Sequence, residues 1–407
     1  MSLRILMVSE DIPHPKLGGL GKHVILLANA LIEAGHQVDL FGNNHWPYEP
    51  LPGDVQFRGR FFPALNVKHA HWKEKQLGFF NYYRRAFLAR RFARAIRAVA
   101  DKYDVVHYHG HLPIVANYLP KTVNFVQTRH DQGSDCLTHV RFRDGDVCGA
   151  TDPRTCASCA ARRPNTLQRT LSARSVTRWR KEVHRAFERH KVIFVSQFLR
   201  DNLVRTLGPL DGDGVHVVHN FVDTRVLASA LATPNAEAPP PDIFIAARID
   251  AAKGVAGFLA AAQGHLSPER HITVAGDGPE LTALHQRYAS TQVTFLGWTP
   301  HSDVVRFTAQ AKVAVIPSVW EEPCGTTILE PLALNRPVFA LRRGGTPELS
   351  TYEQYPGQLK LFNSLSEMIN ALQNSDVNQV AHKLCINFQA TATAMTDKII
   401  RIYRRTS

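Results

Sequence analysis

Two glutamates frame a segment whose residue types suit a phosphorylated ligand. Glu322 and Glu330 are separated by seven residues, and the segment between them contains residues 324–327, Cys-Gly-Thr-Thr. An apolar strand pattern at residues 313–317 precedes it and a helical pattern at residues 328–334 follows. The segment is therefore predicted to form a helix N-terminus, where free N–H groups and the helix dipole favour phosphate. The alternative is a pair of glutamates on a solvated loop and helix.

A pair of cations follows another predicted strand. Arg248 and Lys253 come after the apolar run at residues 243–247. In a doubly wound sheet, ligands bind beyond the carboxyl ends of the strands. A planar guanidinium and a point-charge ammonium suit a diphosphate. The alternative is two ordinary surface cations, because the chain has 48 lysines and arginines.

Glycines follow two of the predicted strands. Gly18 and Gly19 lie between the first strand pattern and the first helical pattern, and Gly276 opens a Gly-Asp-Gly-Pro turn after the strand at residues 271–275. The first group lacks the G-x-G-x-x-G spacing, which argues against a nicotinamide dehydrogenase. Glycine lets a backbone approach a phosphate closely, or it only permits the turn.

The elements that must position these residues form an α/β pattern that occurs twice. Strand and helix patterns alternate up to about residue 200, and they resume after a proline-rich stretch at residues 232–241. Such alternation predicts parallel sheets covered by helices. We expect two Rossmann-like doubly wound domains facing a central cleft. The predicted units are a first domain at residues 1–210, a second domain at 211–386 and a C-terminal helix at 387–407.

Composition restricts the partners. The chain has 407 residues, of which 44% are hydrophobic and 20% charged, and its formal net charge is +13. This excess favours a phosphorylated substrate, a membrane surface or nucleic acid. No apolar stretch is long enough to span a bilayer, and the N-terminus lacks a signal-peptide pattern. We expect a cytoplasmic protein that can lie peripherally on the inner membrane face.

The motifs, in their order along the chain, resemble those of glycosyltransferase family 4, which has the GT-B fold. The resemblance covers nearly the whole chain. The motifs that carry it are Gly18-Gly19, DVVHYHG at residues 104–110, His130-Asp131, SQFLRDNL at 196–203, HNFVD at 219–223, ARIDAAKG at 247–254, GDGP at 276–279, the segment between the two glutamates, and GGTPE at 344–348.

The resemblance implies a role for each matching residue of the donor side. Arg248 and Lys253 would bind the donor diphosphate, Glu330 the nucleotide ribose and Glu322 the transferred sugar. The amides of the helix N-terminus would hold phosphate and sugar, and the residues involved are Cys324, Gly325, Thr326 and Thr327. Relatives commonly carry a bulky apolar residue where this chain has Cys324, so the fit around the sugar is expected to differ.

The resemblance also implies that the first domain binds the acceptor and that the second binds the nucleotide-sugar. His130 would lie near the anomeric carbon and a sugar hydroxyl, and Gly18 and Gly19 would close on the phosphates. The C-terminal helix would cross back to the first domain. These roles imply a retaining transfer from a UDP- or GDP-sugar to a carbohydrate or lipid-linked acceptor, in polysaccharide, lipopolysaccharide or glycolipid biosynthesis.

Retention has two chemical routes. A carboxylate can form a covalent intermediate with the sugar, as in two-carboxylate hydrolases. Alternatively, the acceptor can attack the sugar from the same face from which the phosphate leaves. The family resembles the second case, and no nucleophile is assigned. The Asp-x-Asp sequences at residues 144–146 and 211–213 are interpreted as turns, so no metal or other cofactor is expected to be required for transfer.

Four cysteines cluster in a polar insert at about residues 132–165. The C-x2-C spacing of the last two favours a structural zinc site, which the other two thiolates would complete. An iron–sulfur cluster uses the same number of ligands, and reduced free cysteines are the remaining alternative. The four residues are Cys136, Cys148, Cys156 and Cys159.

Two basic stretches, at residues 82–99 and 162–191, complete the pattern. They are interpreted as amphipathic helices with solvated arginines. The alternative is a surface for anionic lipid or a lipid-linked acceptor. Two other functions stay open: a transferase acting on a small soluble metabolite, and a basic, zinc-containing nucleic-acid-binding protein without catalysis. The two donor-site cations and two glutamates argue against the latter, so nucleic acid is not an expected partner.

Overall fold

Two parallel sheets dominate the computed structural model. It describes residues 2–14, 17–49, 55–67, 79–160, 165–210, 212–232, 240–374 and 388–404. The first sheet has seven strands in the order β3-β2-β1-β4-β5-β8-β9. Their bounds are Arg4–Val8 (β1), Gln37–Asn43 (β2), Arg60–Leu65 (β3), Val105–Tyr108 (β4), Phe125–Arg129 (β5), Lys191–Phe194 (β8) and Val215–Val217 (β9).

The second sheet has six parallel strands in the order β12-β11-β10-β13-β14-β15. This is the order of a dinucleotide-binding sheet, in which the chain adds strands on one side of β10 and then, from β13 onward, on the other. The bounds are Ile243–Ala246 (β10), Ile272–Ala275 (β11), Val293–Gly297 (β12), Val313–Ile316 (β13), Val338–Leu341 (β14) and Leu359–Phe362 (β15). A two-stranded antiparallel hairpin, Phe142–Arg143 (β6) and Asp146–Val147 (β7), lies outside both sheets.

Helices cover the two sheets. The bounds are Gly19–Glu33 (α1), Tyr82–Arg97 (α2), Pro153–Ser158 (α3), Thr166–Arg189 (α4), Gln197–Leu207 (α5), Thr224–Ala232 (α6), Val255–Ala262 (α7), Leu281–Tyr288 (α8), His301–Gln310 (α9), Thr326–Ala333 (α10), Leu365–Asn374 (α11) and Ala392–Arg404 (α12). Central strands are apolar on both faces because both faces are covered. The residues Ile5 to Val8 of β1, for example, are fully buried. The prediction of two Rossmann-like α/β units is confirmed.

The boundary predicted at residue 210 falls inside the first unit. β9 begins at Val215, and its backbone pairs with β8, so Val192 lies opposite Val215 in the first sheet. The first unit therefore continues beyond residue 217. The sequence did not indicate this strand, because it has three residues and all of them are only partly buried.

The C-terminal helix α12 lies on the first unit. The Tyr403 hydroxyl is 2.7 Å from Nδ1 of His107, which is fully buried in β4. The Asn124 amide donates to the Tyr403 carbonyl at 2.9 Å. A carboxylate of the second unit also joins the two halves, because Glu348 accepts hydrogen bonds from the backbone N–H groups of Gln197 and Phe198 at the start of α5.

None of the described helices is both long and apolar enough to cross a membrane.

Candidate active site

A cleft between the two sheets collects residues from the carboxyl ends of β1, β4, β5, β10 and β13. It is open to solvent, and about 1440 Å³ of space, part of it open solvent, lies among its lining residues. This position beyond the strand ends is where doubly wound sheets bind ligands. The second unit contributes Ala246, Ala247, Arg248, Lys253, Val315, Ile316, Pro317, Ser318, Trp320, Glu322 and Thr327, and the first unit contributes Gly18, Gly19, His111, Asp131, Thr138, His139 and Val140.

A buried carboxylate and an ammonium meet on the donor wall. The Lys253 ammonium donates to Oε1 of Glu322, and the Ser318 hydroxyl donates to the same oxygen at 2.9 Å. Glu322 is 5% exposed. Burial alone would raise the pKa of this carboxyl, but the Lys253 charge and the hydrogen bonds outweigh it and hold the pKa below its usual value. Glu322 is therefore a paired carboxylate.

Arg248 is the exposed cation of the same wall. Its guanidinium Nε donates to Asp250, and 63% of its side chain is exposed. Asp250 in turn accepts the Lys253 backbone N–H at 3.1 Å, which closes the turn after β10. One aspartate thus orders the loop that carries both predicted diphosphate-binding cations.

The predicted helix N-terminus is present. Gly325 is the N-cap residue of α10, and Thr326 is its first residue. Thr327 faces the large cleft, whereas Thr326 and Glu330 line a neighbouring cavity of about 440 Å³ together with Gly19. The first turn of α10 therefore borders both spaces, and its free N–H groups are of the kind that bind an anion.

Glu330 is paired with a histidine inside that smaller cavity. Its Oε1 lies 2.8 Å from Nε2 of His301. Burial would raise the pKa of Glu330, but the neighbouring His301 outweighs it, and the pKa is lowered. The sequence did not single out His301, which is the first residue of α9.

Cys324 faces away from the cleft. Its thiol accepts the Asn220 backbone N–H at 3.3 Å, and its carbonyl accepts the Asn220 amide at 2.7 Å. The side chain is 6% exposed. Burial raises the pKa of this thiol to about 12. Cys324 therefore joins the two halves of the chain, and its backbone leads into the helix N-terminus.

An acid between two imidazoles forms the opposite wall. Oδ2 of Asp131 is 3.2 Å from Nδ1 of His139 and 3.4 Å from Nδ1 of His111. His111 also lies 3.1 Å from Asp11. Although burial opposes both charges, these contacts lower the pKa of Asp131 and raise that of His111. The sequence reasoning named Asp131 in a motif but missed both histidines. His111 could have been found from its place just after β4.

His130 points to a different set of side chains. Its Nε2 lies 2.9 Å from Nδ1 of His109, and its ring packs on His23 at a centroid distance of 4.8 Å. Burial lowers the pKa of His130 well below its usual value, with smaller contributions from His23 and Arg129, so burial favours the neutral imidazole. His130 is not among the described residues that line the large cleft.

The glycines differ in their structural role. A Cβ atom on Gly18 or Gly19 would meet nothing within 4 Å, so these residues leave the cleft open. Gly276 has a φ of +142°, and a Cβ there would lie 1.8 Å from the Ala247 carbonyl oxygen. Gly276 therefore lets the ends of β10 and β11 approach each other. It is not among the described residues that line the large cleft.

Two groups in the described part of the chain bring three metal-ligating atoms within 4.8 Å of one another. They are His23 with His109 and His130, and His111 with Asp131 and His139. Asp144 and Gly145 both have positive φ and form the turn between β6 and β7, as the sequence indicated. Asp211 lies outside the described residues. The four insert cysteines line one separate cavity.

Sequence comparison shows the family of this chain. The model of Glycosyltransferase Family 4 matches residues 17–226, and that of Glycosyl transferases group 1 matches residues 232–376. A glycogen synthase of Mycobacterium tuberculosis is 26% identical over 85% of this chain and 80% of its own length. An alpha-maltose-1-phosphate synthase of Mycolicibacterium smegmatis is 33% identical over 39% of this chain, a match that spans 45% of the synthase.

Solved structures share the fold over the whole chain. The sucrose-phosphate synthase of Thermosynechococcus elongatus has a TM-score of 0.62 and 19% identity, with 98% of this chain and 95% of that chain covered. Anabaena HepE in complex with UDP and glucose has a TM-score of 0.59 and 19% identity, with 99% and 95% covered. These matches and the two facing sheets agree. The chain belongs to glycosyltransferase family 4, and it is a glycosyltransferase with the GT-B fold.

Proposed function

We propose that this enzyme transfers a sugar from a nucleoside-diphosphate-sugar to a carbohydrate or lipid-linked acceptor, with retention of the anomeric configuration. One observation carries the proposal. Arg248, Lys253 and the N-terminus of α10 form one wall of the cleft, and the opposite wall holds Asp131 between two histidines. A cationic wall suits a leaving diphosphate, and a polar wall suits a hydroxylated acceptor.

The donor wall would act on the leaving group. Cleavage of the bond between the sugar and the nucleoside diphosphate builds negative charge on the departing phosphate. Arg248 and Lys253 carry the positive charges that would stabilise it, together with the N–H groups at the start of α10. These groups are already in place, so little reorganisation is needed during the reaction.

The state of the carboxylates favours front-face attack over double displacement. Glu322 is held by Lys253 and Ser318, and Asp131 is held by His111 and His139. Neither is an unpaired nucleophile aimed at a sugar. In the front-face route the bond from C1 to the phosphate oxygen breaks as the bond from C1 to the acceptor oxygen forms. The leaving phosphate takes the proton of the acceptor hydroxyl, so no covalent enzyme intermediate is required.

The nucleotide is proposed from the solved relatives. Anabaena HepE was solved with UDP and glucose, and the catalytic domain of starch synthase IV from Arabidopsis thaliana was solved with ADP and acarbose. These complexes support a UDP- or ADP-sugar, and the GDP-sugar that the sequence left open belongs in the same test. Glu330, next to the N-terminus of α10, is the proposed ribose ligand.

Carbohydrate chemistry is also common to the named relatives. Glycogen synthase, starch synthase IV and sucrose-phosphate synthase carry sugar products in their names. This favours a carbohydrate acceptor in polysaccharide, lipopolysaccharide or glycolipid synthesis. A small soluble metabolite is the second candidate, because the products named include disaccharide phosphates. Family membership favours catalysis over a nucleic-acid-binding protein without catalysis.

The first unit carries a surface suited to a peripheral membrane contact. On α2, Tyr83 is 74% and Phe87 is 62% exposed, and on the neighbouring α4, Leu167 is 66% exposed. The exposed arginines of α2 lie on the same helix, at positions 90, 91, 94 and 97. Exposed apolar side chains beside cations are typical of helices that lie on anionic lipid. We therefore propose that a lipid-linked acceptor reaches the cleft from this side.

A transfer assay tests the proposal. The full chain is incubated with UDP-, ADP- and GDP-sugars and a panel of oligosaccharide and lipid-linked acceptors, and release of nucleoside diphosphate is measured. The product is then examined by proton NMR. We expect acceptor-dependent release with one donor and a product linkage of the donor's own anomeric configuration. A product of inverted configuration, or no release with any donor, would overturn the proposal.

A further inference from the structure

The four cysteines of the insert face one cavity. Cys136, Cys148, Cys156 and Cys159 line one narrow space, which lies apart from the active-site cleft. All four are free thiols, with no disulfide among the described cysteines. They come from positions up to 23 residues apart along the chain. Four thiols that line one space are the ligand set of a tetrahedral zinc site, although no three of their sulfurs lie within 4.8 Å of one another, so the sulfurs would draw together around an ion.

The backbone brings each thiol to this cavity by a specific local structure. The Cys136 N–H donates to the Gln132 carbonyl at 3.0 Å, and the Cys148 N–H donates to the Arg141 carbonyl at 2.7 Å across the base of the β6–β7 hairpin. Cys156 lies on α3 and Cys159 is its C-cap residue, so both are on one face of a helical turn. The insert thus presents two thiols from loops and two from a helix.

The insert has almost no apolar core of its own. Among the described residues from 130 to 160, Ala157 is the only apolar residue with a buried side chain. Its regular elements are a hairpin with two-residue strands and one six-residue helix. Crosslinks and metals are the usual means by which small, polar segments are held in one structure. A bound metal would add stabilisation where buried apolar surface supplies little.

Cations surround the thiols. The Arg180 guanidinium donates to Sγ of Cys156 at 3.1 Å, and Arg143 and Arg141 also line the cavity. Arg141 pairs with the buried Asp135, which the Thr206 hydroxyl also contacts. Four thiolates around a divalent ion carry a net charge of −2, and guanidinium groups beside the sulfurs would balance it.

We propose that these four cysteines bind one structural zinc ion. Zinc is the ion that four thiolates hold tetrahedrally without redox chemistry, and binding couples directly to folding of the surrounding segment. The site is closed, because all four ligands come from the protein. It therefore takes no direct part in transfer.

The site would order one part of the acceptor wall. Thr138, His139 and Val140 line the cleft, and they lie between Cys136 and the hairpin. The His139 carbonyl accepts the Gln132 N–H at 3.1 Å, and the Gln132 amide donates to the Glu321 carbonyl of the second unit at 3.2 Å. Holding Cys136 therefore holds the turn that presents His139 to Asp131. This consequence rests on the proposed function, whereas the metal site itself does not.

Metal analysis of the purified full chain tests the proposal. We expect about one zinc per chain by mass spectrometry. The double substitution Cys156→Ser with Cys159→Ser should abolish it, and Cys324→Ala, which removes a buried thiol outside the insert, should leave it unchanged. Arg180→Gln keeps all four ligands and should weaken zinc binding about 10–100-fold in competition with a chelator.

Other outcomes would overturn the site. A zinc site would be contradicted by free thiols with no metal or by disulfides in the intact mass with no metal. It would also be contradicted by bound iron with visible absorption. If the double variant fails to fold, titration of the wild-type thiols with a mercurial reagent still tests whether these cysteines hold the zinc. Zinc should be released as the four insert thiols react. Nucleotide-sugar binding is measured separately, so failure of the proposed function leaves this result intact.

Discussion

Lys253 and Glu322 form an ion pair at the floor of the cleft, and the lysine is 22% and the glutamate 7% exposed at the side chain. Arg248, five residues before the lysine, is 63% exposed and pairs with Asp250 at the surface. Two cations with one proposed role therefore differ in what they contribute to the fold.

Substitution separates these contributions. Arg248→Ala is expected to lower kcat by about 10²–10³-fold, the usual effect of losing one electrostatic contact to a developing charge. Its free energy of unfolding should change by less than about 0.5 kcal/mol, as for other exposed positions. Lys253→Ala should lower kcat similarly but also destabilise the fold by up to about 3 kcal/mol, because Glu322 is left buried and unpaired.

Steady-state kinetics and denaturant unfolding of both variants make the comparison. Lys253→Ala with Glu322→Gln should recover most of the lost stability, since the buried charge is removed, without recovering kcat. Equal destabilisation by Arg248→Ala and Lys253→Ala would contradict this account of the ion pair.

Buried histidines should make the fold sensitive to acid. His23 is 7% exposed, and burial lowers its pKa to about 4. A histidine whose folded pKa lies below its unfolded value near 6.5 contributes stability at higher pH, and that stability is lost as pH falls towards 4. Between pH 7 and pH 5 the loss from His23 is on the order of 2 kcal/mol.

The measurement is the free energy of unfolding at pH 7 and pH 5. His23→Leu should reduce the difference between the two pH values, because the position no longer binds a proton when the chain unfolds. The exposed His265→Gln is the matched control and should leave the difference as it is in the wild type. A wild-type difference that His23→Leu does not change would show that other groups set the acid sensitivity.

Cys324 should be unreactive in the folded protein. The thiolate is the nucleophile in alkylation, and burial raises the pKa of this thiol to about 12. Peptide mapping after iodoacetamide treatment at pH 7.5 should find Cys324 unmodified in the native chain and modified after denaturation. Modification of native Cys324 at the rate of a free cysteine would mean that the contact with Asn220 opens readily.

Sequence pattern predicted the strands of the two sheets closely. The apolar runs at residues 313–316 and 243–247 correspond to β13 (Val313–Ile316) and β10 (Ile243–Ala246). Buried parallel strands are continuous apolar runs, so they are visible without knowledge of the fold. β3 (Arg60–Leu65) and β9 (Val215–Val217) were not predicted, because edge strands are only partly buried and lack such runs.

The donor site was more predictable than the acceptor wall. Arg248, Lys253 and Glu322 lie near strand ends in short motifs, and local sequence fixes their position. His139 approaches Asp131 because an irregular insert folds back on the cleft, and His111 does so because β4 and β5 are neighbours in the sheet. The orientation of His130 towards His109 likewise depends on packing between neighbouring strands, which local sequence does not encode.

The exposed face of α2 should mediate lipid binding. Tyr83→Ser with Phe87→Ser is expected to weaken sedimentation with vesicles containing anionic phosphatidylglycerol, because it removes the apolar side chains that would enter the interface. Wild-type binding should fall with added salt, since charge attraction contributes. Leu231→Ser, at a 38% exposed apolar position in α6, is the matched control. Equal binding of all three proteins, or no wild-type binding at low salt, would refute a membrane contact at α2.

The central claim is that the cleft binds a nucleotide-sugar through Arg248 and Glu330. The most direct measurement is a thermal-shift screen of UDP-, ADP- and GDP-sugars on the wild type, Arg248→Ala, Glu330→Ala and the exposed control Arg287→Ala. A donor at 100 times its dissociation constant should add about 2.7 kcal/mol of stability. We predict stabilisation of the wild type and of Arg287→Ala by one donor, and its loss in the other two variants. Absence of stabilisation by every donor, or equal stabilisation of all four proteins, would contradict the account.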